Sequence, residues 1–376
     1  MRFNVSSKTL YNFASSVSKI ISSRNALQIL NNFLFELSDD TLTVTASDME
    51  NSLVGRLLVT EAEGSGSFCL DARRIVELLK EMPDQGITFD INDQNLEVLI
   101  TYTNGHYNTV ATPGIEYPEH RKTPESDTVS FTCTSNQIIK GIENTMFAVS
   151  TEEIRPQIMG ILWDVKPDEV VFVATDTRKL VKYVDGTIHS GSQCSFILPV
   201  KGAQVIKNVF AKEADVKVTV TPVSAIFQSE TFTFDCRLIK GNFPDYNRVI
   251  PTSNPYTFTA DRVSFLNAVR RVAVFGDGGG GLVIFNFDNT EVLLRASDNS
   301  LGTSGEERVP CNYEGNPMRM GFGSQYLVEI LSTFSSTDIV IRLADPSRPA
   351  LFLSGETTPD SELLMILMPM NVGGND

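Results

Sequence analysis

The chain has 376 residues, of which 41% are hydrophobic and 20% are charged, and its formal net charge is −15. This length predicts two or three domains, and the hydrophobic fraction is high enough to exclude wholesale disorder. The excess of Asp and Glu excludes a surface that binds nucleic acid all over, although it leaves room for a local basic face.

No feature of the sequence points to export or to a membrane. The first residues, MRFNVSSKTLYNF, lack the apolar core of a signal peptide, and no run of about 18 apolar residues occurs. The five cysteines lie far apart and form no CxxC pair, so neither a disulfide framework nor a zinc site is indicated. Reduced thiols are typical of the cytoplasm, and we expect a soluble cytoplasmic protein.

Three stretches repeat one pattern, in which a strand is followed by a polar residue and then by a helix. They begin at Phe3, Phe131 and Phe258. Apolar residues recur at helical spacing in each stretch, namely Leu10, Phe13, Ala14, Val17 and Ile21, then Ile138, Ile142, Met146 and Val149, then Phe265, Val269 and Val272. Polar residues that can cap the helix N-termini are Ser7, Ser135 and Asp261.

Each repeat continues with a strand that ends in a polar corner, at Asp48, Asp176 and Asp298. A second helix is predicted after each corner, in FCLDARRIVELLKEM, FILPVKGAQVIKNVF and MGFGSQYLVEILSTF. The segments between these landmarks alternate apolar and polar residues, which is typical of antiparallel strands with one buried face. We therefore predict an α+β fold of three repeated domains, residues 1–125, 126–251 and 252–376, each with two helices packed on antiparallel sheets.

Motifs of enzyme chemistry are not found in the sequence. The three corner aspartates could serve acid–base catalysis, but their equivalent places in three domains favour structural carboxylates that bind backbone N–H groups in tight turns. The three histidines have no metal-ligand spacing. The glycine run 276–281 lacks the Gly-Lys-Ser/Thr of a phosphate-binding loop and stands between a helix and a strand. We expect no catalytic residue, no metal and no cofactor.

Lysine and arginine concentrate on the predicted helices or the turns after them, whereas strands and loops carry most of the acidic residues. Arg73 and Lys201 hold equivalent positions in the second helices of the first two repeats, and Arg24 follows the first helix. Without a base-reading motif, such helices suit sequence-independent contacts to phosphate. A solvated helix face is the alternative interpretation.

The chain resembles the bacterial sliding clamps, the beta subunits of DNA polymerase III. The resemblance rests on SSKTL, ISSRNALQILNNFLFEL, LDARRIVELL, VATDTRKL, GNFPDYNRVIP and the terminal MPM, and it covers the whole chain. It implies a fold of three DNA-clamp domains, a head-to-tail homodimer that forms a ring, and duplex DNA in the hole. Arg24, Arg73 and Lys201 would then contact phosphates, and the protein would associate with the nucleoid.

The resemblance also implies a cleft that receives short linear peptides from the replicative polymerase, the clamp loader and repair factors. Its residues here would be Ile158, Thr175, Thr177, Arg178, Lys179, Leu180, Pro244, Arg248, Val249, Ile366, Met368, Pro369 and Met370. Pro369 would end strand pairing in the run LLMILMPMNV, and the flexible methionines could repack around different peptides. At the dimer interface, Tyr107 and Thr109 would face Val274 and Phe275.

Some positions depart from the better-known members of this family. Thr177 and Arg178 stand where Gly-His is common, and Asn371-Val372 replaces the usual Arg-Leu ending. Some relatives contact DNA through aromatic residues near Glu152 to Gln157. We do not predict these contacts for this chain. Two other functions are weighed against the clamp: a monomeric peptide-binding scaffold without DNA contact, and a hydrolase that uses Asp48 or Asp176.

Overall fold

The computed structural model describes residues 1–22, 25–119, 128–276 and 281–372 of the protein. The chain forms two compact units, Met1–Ile139 with Lys201–Leu238 and Lys140–Val200 with Ile239–Asp376. Six α-helices occur in the described ranges: α1 (Ser7–Val17), α2 (Ala72–Lys80), α3 (Ser135–Thr145), α4 (Val200–Val209), α5 (Arg262–Ala273) and α6 (Ser324–Thr333). None of the helices in these ranges is long and apolar enough to cross a membrane.

The strands of the described residues fall into two groups along the chain. The first group is β1 (Arg2–Ser6), β2 (Asn32–Ser38), β3 (Thr41–Ser47), β4 (Ser52–Leu58), β5 (Thr60–Glu63), β6 (Gly66–Asp71), β7 (Gly86–Ile91), β8 (Glu97–Tyr102), β9 (Gly105–Val110), β10 (Thr112–Pro113), β11 (Val129–Thr134), β12 (Gly160–Val165), β13 (Val170–Thr175), β14 (Lys179–Asp185) and β15 (Cys194–Pro199). The second group is β16 (Asp215–Val220), β17 (Ser224–Gln228), β18 (Phe232–Arg237), β19 (Tyr256–Asp261), β20 (Leu282–Phe287), β21 (Glu291–Asp298), β22 (Thr303–Pro310), β23 (Asn312–Glu314), β24 (Met318–Gly323), β25 (Asp338–Leu343), β26 (Ala350–Ser354) and β27 (Ser361–Leu367).

Each unit contains two sheets. In the first unit the strand orders are β5-β1-β7-β8-β9 and β10-β6-β2-β3-β4-β18-β17-β16-β11. In the second unit they are β15-β12-β13-β14-β27-β26-β25-β19-β23 and β22-β21-β20-β24. Many strands alternate buried and more accessible residues, as β3 does with Leu42, Val44 and Ala46 buried, so that one face packs into a core. β13, by contrast, is buried over most of its length.

Both nine-stranded sheets join strands from two of the three sequence repeats. β4 pairs with β18, where Leu53 opposes Phe234, and β14 pairs with β27, where Val181 opposes Met365. Because a shared sheet merges the packing of two repeats, the chain forms two compact units although the repeat predicts three domains. The domain boundaries near residues 125 and 251 therefore stay a prediction.

The repeated helices are present, but two of them end earlier than the apolar spacing predicts. α1 ends at Val17, and a 3₁₀ turn over Ser18–Ile20 buries Ile20 in place of the predicted Ile21. Likewise, α3 is followed by a 3₁₀ turn over Met146–Ala148, which buries Ala148 and leaves the predicted Met146 and Val149 partly buried. A 3₁₀ turn has three residues per turn, so it shifts the buried face by about one residue.

Polar side chains start the helices much as predicted. Ser6, one residue before the predicted Ser7, caps α1 by accepting a hydrogen bond from the N–H of Thr9, and Asp261 caps α5 by accepting one from the N–H of Ser264. Ser135 instead uses its buried hydroxyl to bind the carbonyl of Phe210. The two caps fix where α1 and α5 begin after their strands.

Candidate functional site

A cavity of about 810 Å³ in the second unit brings together most of the residues that are predicted to form a peptide cleft. It lies among the turn that joins β13 to β14, the segment 243–253 and the end of β27. Eleven of the thirteen predicted residues line it: Ile158, Thr175, Thr177, Arg178, Lys179, Leu180, Pro244, Arg248, Val249, Ile366 and Met368. The cavity is also lined by Arg155, Tyr246 and Arg348, which were not predicted. Tyr246 lies within the motif GNFPDYNRVIP, which could have indicated it, whereas no motif marks Arg155 or Arg348.

Pro369 and Met370 are predicted with this group but do not line the cavity. β27 ends at Leu367, and the N–H of Met370 donates a hydrogen bond to the carbonyl of Gly321 on β24 at 2.7 Å. This bond directs the chain after Pro369 along β24. Met368, whose surface is 41% exposed, is therefore the methionine of this run that reaches the cavity.

The floor of the cavity is apolar and rigid. Leu180 and Ile366 oppose each other on β14 and β27 and are buried in one cluster with Leu351 and Tyr246. The hydroxyl of Tyr246 donates to a carboxylate oxygen of Asp164 at 2.9 Å, and burial together with this bond raises the pKa of Tyr246. Tyr246 thus stays neutral at physiological pH and serves as a fixed wall.

The turn from Asp176 to Lys179 forms one edge of the cavity, and hydrogen bonds hold it from within. Oδ1 of Asp176 accepts the N–H groups of Arg178 and Lys179 at 2.9 and 2.8 Å. The hydroxyl of Thr175 donates to the carbonyl of Lys179 at 2.7 Å and accepts the N–H of Thr177. The N–H of Met368 in turn donates to the carbonyl of Arg178 at 2.8 Å, so the turn and the end of β27 form one rigid edge.

Lys179 lines the cavity, but its charge is used inside the protein. The side chain is only 5% exposed, and Nζ lies 2.8 Å from Oδ2 of Asp176 and 3.1 Å from Oε2 of Glu329 on α6. The same nitrogen stands 4.4 Å from the ring centre of Tyr326, within the range of a cation–π contact. Lys179 therefore joins the turn to α6, and we assign it a structural role.

The three corner aspartates all serve as turn carboxylates, which confirms that prediction. Asp48 accepts the N–H groups of Glu50 and Asn51 at 3.0 and 2.7 Å, in the same pattern as Asp176. Asp298 accepts the N–H of Ser300 at 2.8 Å, and its pKa is lowered by the Ser300 side-chain hydrogen bond. Among the described residues no group of three or more His, Cys, Asp or Glu side chains is placed to hold a metal ion.

Lys201 is paired within the first unit. Its ammonium lies 2.5 Å from Oδ2 of Asp48, which is nearly buried. Burial alone would raise the pKa of Asp48, but hydrogen bonds from Lys201 and Asn51 outweigh this effect and keep the pKa below its usual value. The pair fixes the start of α4 against the corner after β3.

Comparison with known proteins agrees with this architecture along nearly the whole chain. Family models of the DNA polymerase III beta subunit match residues 1–121 with its N-terminal domain, 132–245 with its central domain and 247–371 with its C-terminal domain. The chain belongs to the DNA polymerase III beta subunit family of sliding clamps.

Curated relatives in this family carry the name beta sliding clamp. The relative from Pseudomonas aeruginosa is 24% identical over 374 residues, which is 99% of this chain and 100% of the relative. The relative from Bacillus subtilis is also 24% identical, over 382 residues that cover 98% and 99% of the two chains. Among solved structures, the sliding clamp of P. aeruginosa bound to griselimycin matches with a TM-score of 0.92 at 24% identity, over 99% of this chain and 100% of that one.

The residues predicted for the interface of a beta subunit dimer lie on edges and turns. Tyr107 and Thr109 belong to β9, an edge strand of the five-stranded sheet. Val274 and Phe275 directly follow α5 in the second unit, where they are 78% and 43% exposed. The ring of Phe275 lies against Gly305 on the edge strand β22, since a Cβ on that glycine would approach the ring to 2.6 Å.

Of the residues predicted to contact DNA, Arg24 lies outside the described residues. Arg73 on α2 is 85% exposed, and its Nε pairs with Glu77 one helical turn later at 2.7 Å. Exposed pairs of this kind contribute little to stability because water and salt screen them, so the guanidinium can exchange Glu77 for another anion.

Thr177 adopts a backbone conformation that favours glycine. Its φ is 74°, where a β-branched residue is strained by roughly 1–2 kcal/mol. We expect Thr177→Gly to raise the free energy of unfolding by roughly 0.5–1 kcal/mol, because the relieved strain exceeds the added entropy of an unfolded glycine. Chemical denaturation measures the change.

A matched substitution controls for that entropy. Thr357 is exposed and does not have a positive φ, so Thr357→Gly should lower the free energy of unfolding. If both variants lost the same free energy of unfolding, the assignment of strain to Thr177 would be wrong.

Proposed function

We propose that this sliding clamp works as a homodimeric ring that surrounds duplex DNA and holds the replicative polymerase, the clamp loader and repair factors beside it. The observation that carries the proposal is the match of all three domain models, in order, along the chain. A ring needs no sequence-specific contacts, which agrees with the lack of a base-reading motif. The clamp would act in the cytoplasm, at the nucleoid, without catalytic activity of its own.

Edge strands support closure of the ring. β9 ends one sheet of the first unit, and β22 ends one sheet of the second. An edge strand presents unpaired N–H and C=O groups, so β9 of one copy can pair with β22 of another. Two such contacts, related by a twofold axis, would close a head-to-tail dimer.

Apolar side chains beside these edges support the same contact. Tyr107 and Val110 on β9 are exposed, as are Val274 and Phe275. A groove of about 450 Å³ between α2 and β9, lined by Ile75, Tyr107 and Thr109 among others, can receive an apolar side chain from the partner. We propose that Phe275 or Val274 of the other copy enters it.

The proposed DNA contacts rest mainly on Arg73. Its exposed pair with Glu77 can open at little cost, and phosphate contacts of this kind weaken with salt because counterions are released. Lys201 can contact DNA only if it leaves the nearly buried Asp48. Breaking this pair costs more free energy than opening the exposed pair of Arg73 with Glu77. We therefore place Arg73 ahead of Lys201, and propose Arg24 on the sequence alone.

Retention on circular DNA tests the ring. A clamp loaded onto nicked circular DNA should stay bound through gel filtration at a salt concentration that removes ordinary electrostatic binding. Cutting the circle once should release it, because a ring slides off a free end. The monomeric peptide-binding scaffold predicts no retention on either form, and equal retention on both would show ordinary DNA binding instead.

The cavity in the second unit is suited to binding short peptides. Its apolar floor and the adaptable Met368 suit short peptides with apolar anchors, which bind such grooves through a few buried side chains. The solved relative bound to griselimycin shows that a sliding clamp of similar fold takes a ligand. We propose that partner proteins bind this cavity through linear motifs.

A further inference from the structure

The cavity edge in the second unit is strongly basic although the whole chain is acidic. Four arginines and one lysine line it, against the single carboxylate of Asp245. Two of the arginines are paired locally, Arg248 with Asp245 at 2.9 Å and Arg348 with Asp345 at 3.1 Å. In the described part of the chain, the side chains of Arg155 and Arg178 form no ion pair.

Arg178 stands on a turn whose backbone is hydrogen-bonded on both sides. Its N–H binds Asp176 at 2.9 Å and its carbonyl accepts the N–H of Met368 at 2.8 Å, while its side chain is exposed. The guanidinium therefore stands on a rigid turn next to the apolar wall of Met368. A positioned cation loses less entropy on binding an anion than one on a mobile loop.

The first repeat contains the same turn with the opposite charge. There Met49 has a φ of 76°, against 74° for Thr177, and Asp48 accepts the same two N–H groups that Asp176 accepts. Glu50 holds the position of Arg178, and its carboxylate lies 3.4 Å from Nη1 of Arg237 in the same unit. The fold of this turn therefore does not require an arginine.

A cavity in the first unit is lined by Ser47 and Ser52, on either side of this turn, although Glu50 itself does not line it. It has a volume of about 780 Å³, and its only ionisable side chains with formal charge are Glu119 and Asp235, among the described residues. The two repeats thus share a turn beside a cavity but carry opposite charges. Where the residue is Glu50, an internal arginine balances it, whereas Arg178 has no such partner in the described chain.

We propose that Arg178 determines specificity at the cleft by selecting partner peptides that carry an Asp or Glu side chain beside their apolar anchors. This inference rests on the proposed peptide-binding function. The apolar floor supplies affinity for the anchors, and Arg178 supplies a bidentate donor that matches a carboxylate. The neighbouring Arg155 also lines the cavity and raises the positive potential there.

A peptide selection tests the proposal without assuming a motif. A displayed library of random heptapeptides is selected on the full-length wild type and on Arg178→Gln, Arg178→Lys and Met368→Ala. We expect wild type to enrich apolar residues together with Asp or Glu. Arg178→Gln should keep the apolar enrichment and lose the acidic one, whereas Arg178→Lys should keep only part of the acidic enrichment, because an ammonium lacks the bidentate geometry of a guanidinium.

Titration then gives the size of the effect. The strongest wild-type peptide is synthesised with capped ends, with its acidic residue intact or replaced by the matching amide. Wild type should bind the acidic peptide about tenfold more tightly at low salt, and this ratio should fall to about one in Arg178→Gln. Arg295→Gln removes an exposed arginine that does not line the cavity, so it should leave the ratio unchanged.

The outcomes separate the two claims. Apolar enrichment that is lost in Met368→Ala, without any acidic preference in wild type, would overturn the role of Arg178 and keep the peptide cleft. An acidic preference that persists in Arg178→Gln would also overturn it. Selection of no apolar peptide by wild type would overturn both the cleft and the inference.

Discussion

Lys179→Ala should lower the free energy of unfolding by about 3–5 kcal/mol, the cost of breaking a buried ion pair from one side. The ammonium of Lys179 lies between the carboxylates of Asp176 and Glu329, at 2.8 and 3.1 Å, and over the ring of Tyr326. Alanine would leave both carboxylates without their cation in a poorly solvated site. Urea denaturation followed by circular dichroism measures the loss.

An exposed pair from the same unit provides the matched control. Lys166 lies 2.5 Å from Oε1 of Glu169 three residues later, with both side chains partly in solvent. Lys166→Ala should therefore change the free energy of unfolding by about 0–1 kcal/mol. If Lys179→Ala were no more destabilising than Lys166→Ala, the buried network would have no structural role, and Lys179 would be free for peptide contacts.

Replacing Val274 and Phe275 together with alanine should convert the proposed dimer to folded monomer. Apolar anchors at an interface cost about 2 kcal/mol or more each when truncated, so each of the two contacts loses about 4 kcal/mol and the dissociation constant rises by at least roughly a thousandfold. Both contacts of a twofold ring contain the same residues and weaken together. Sedimentation velocity over a concentration series measures the shift.

Val263→Ala is the control for this experiment. Val263 is also an exposed apolar residue on α5, and it lies one helix length before Val274. Its replacement should leave the association state unchanged. A double variant that dimerises as tightly as wild type would place the interface elsewhere, and retention on circular DNA should then also persist.

Local patterns in the sequence predicted the parts of the structure that local chemistry controls. The helical spacing of Phe265, Val269 and Val272 predicted α5, and the three corner aspartates were expected to bind backbone N–H groups, as they do. The helices and turns depend on neighbours within a few residues, which a single sequence shows directly. The residues of the cleft, by contrast, were named from the resemblance to sliding clamps and not from the local pattern.

Features that depend on distant partners could not be predicted in this way. Met-Pro-Met looks like one unit in the sequence, but Met368 faces the cavity while Met370 binds Gly321 on β24. From the sequence, Lys179 would be taken for a surface cation, because its partners Glu329 and Tyr326 lie about 150 positions later. The merging of repeats into shared sheets likewise depends on pairings such as Leu53 with Phe234.

The pairing of β14 with β27 also sets an order of events during protein synthesis. Val181 leaves the ribosome long before Met365, its partner across the sheet. β14 therefore lacks this neighbouring strand until β27 has been translated. Contacts so distant in sequence form late because the intervening chain must first be ordered. Until β27 docks, Ile366 and Met368 are absent from the cavity, so a nascent chain lacks this part of the proposed peptide cleft.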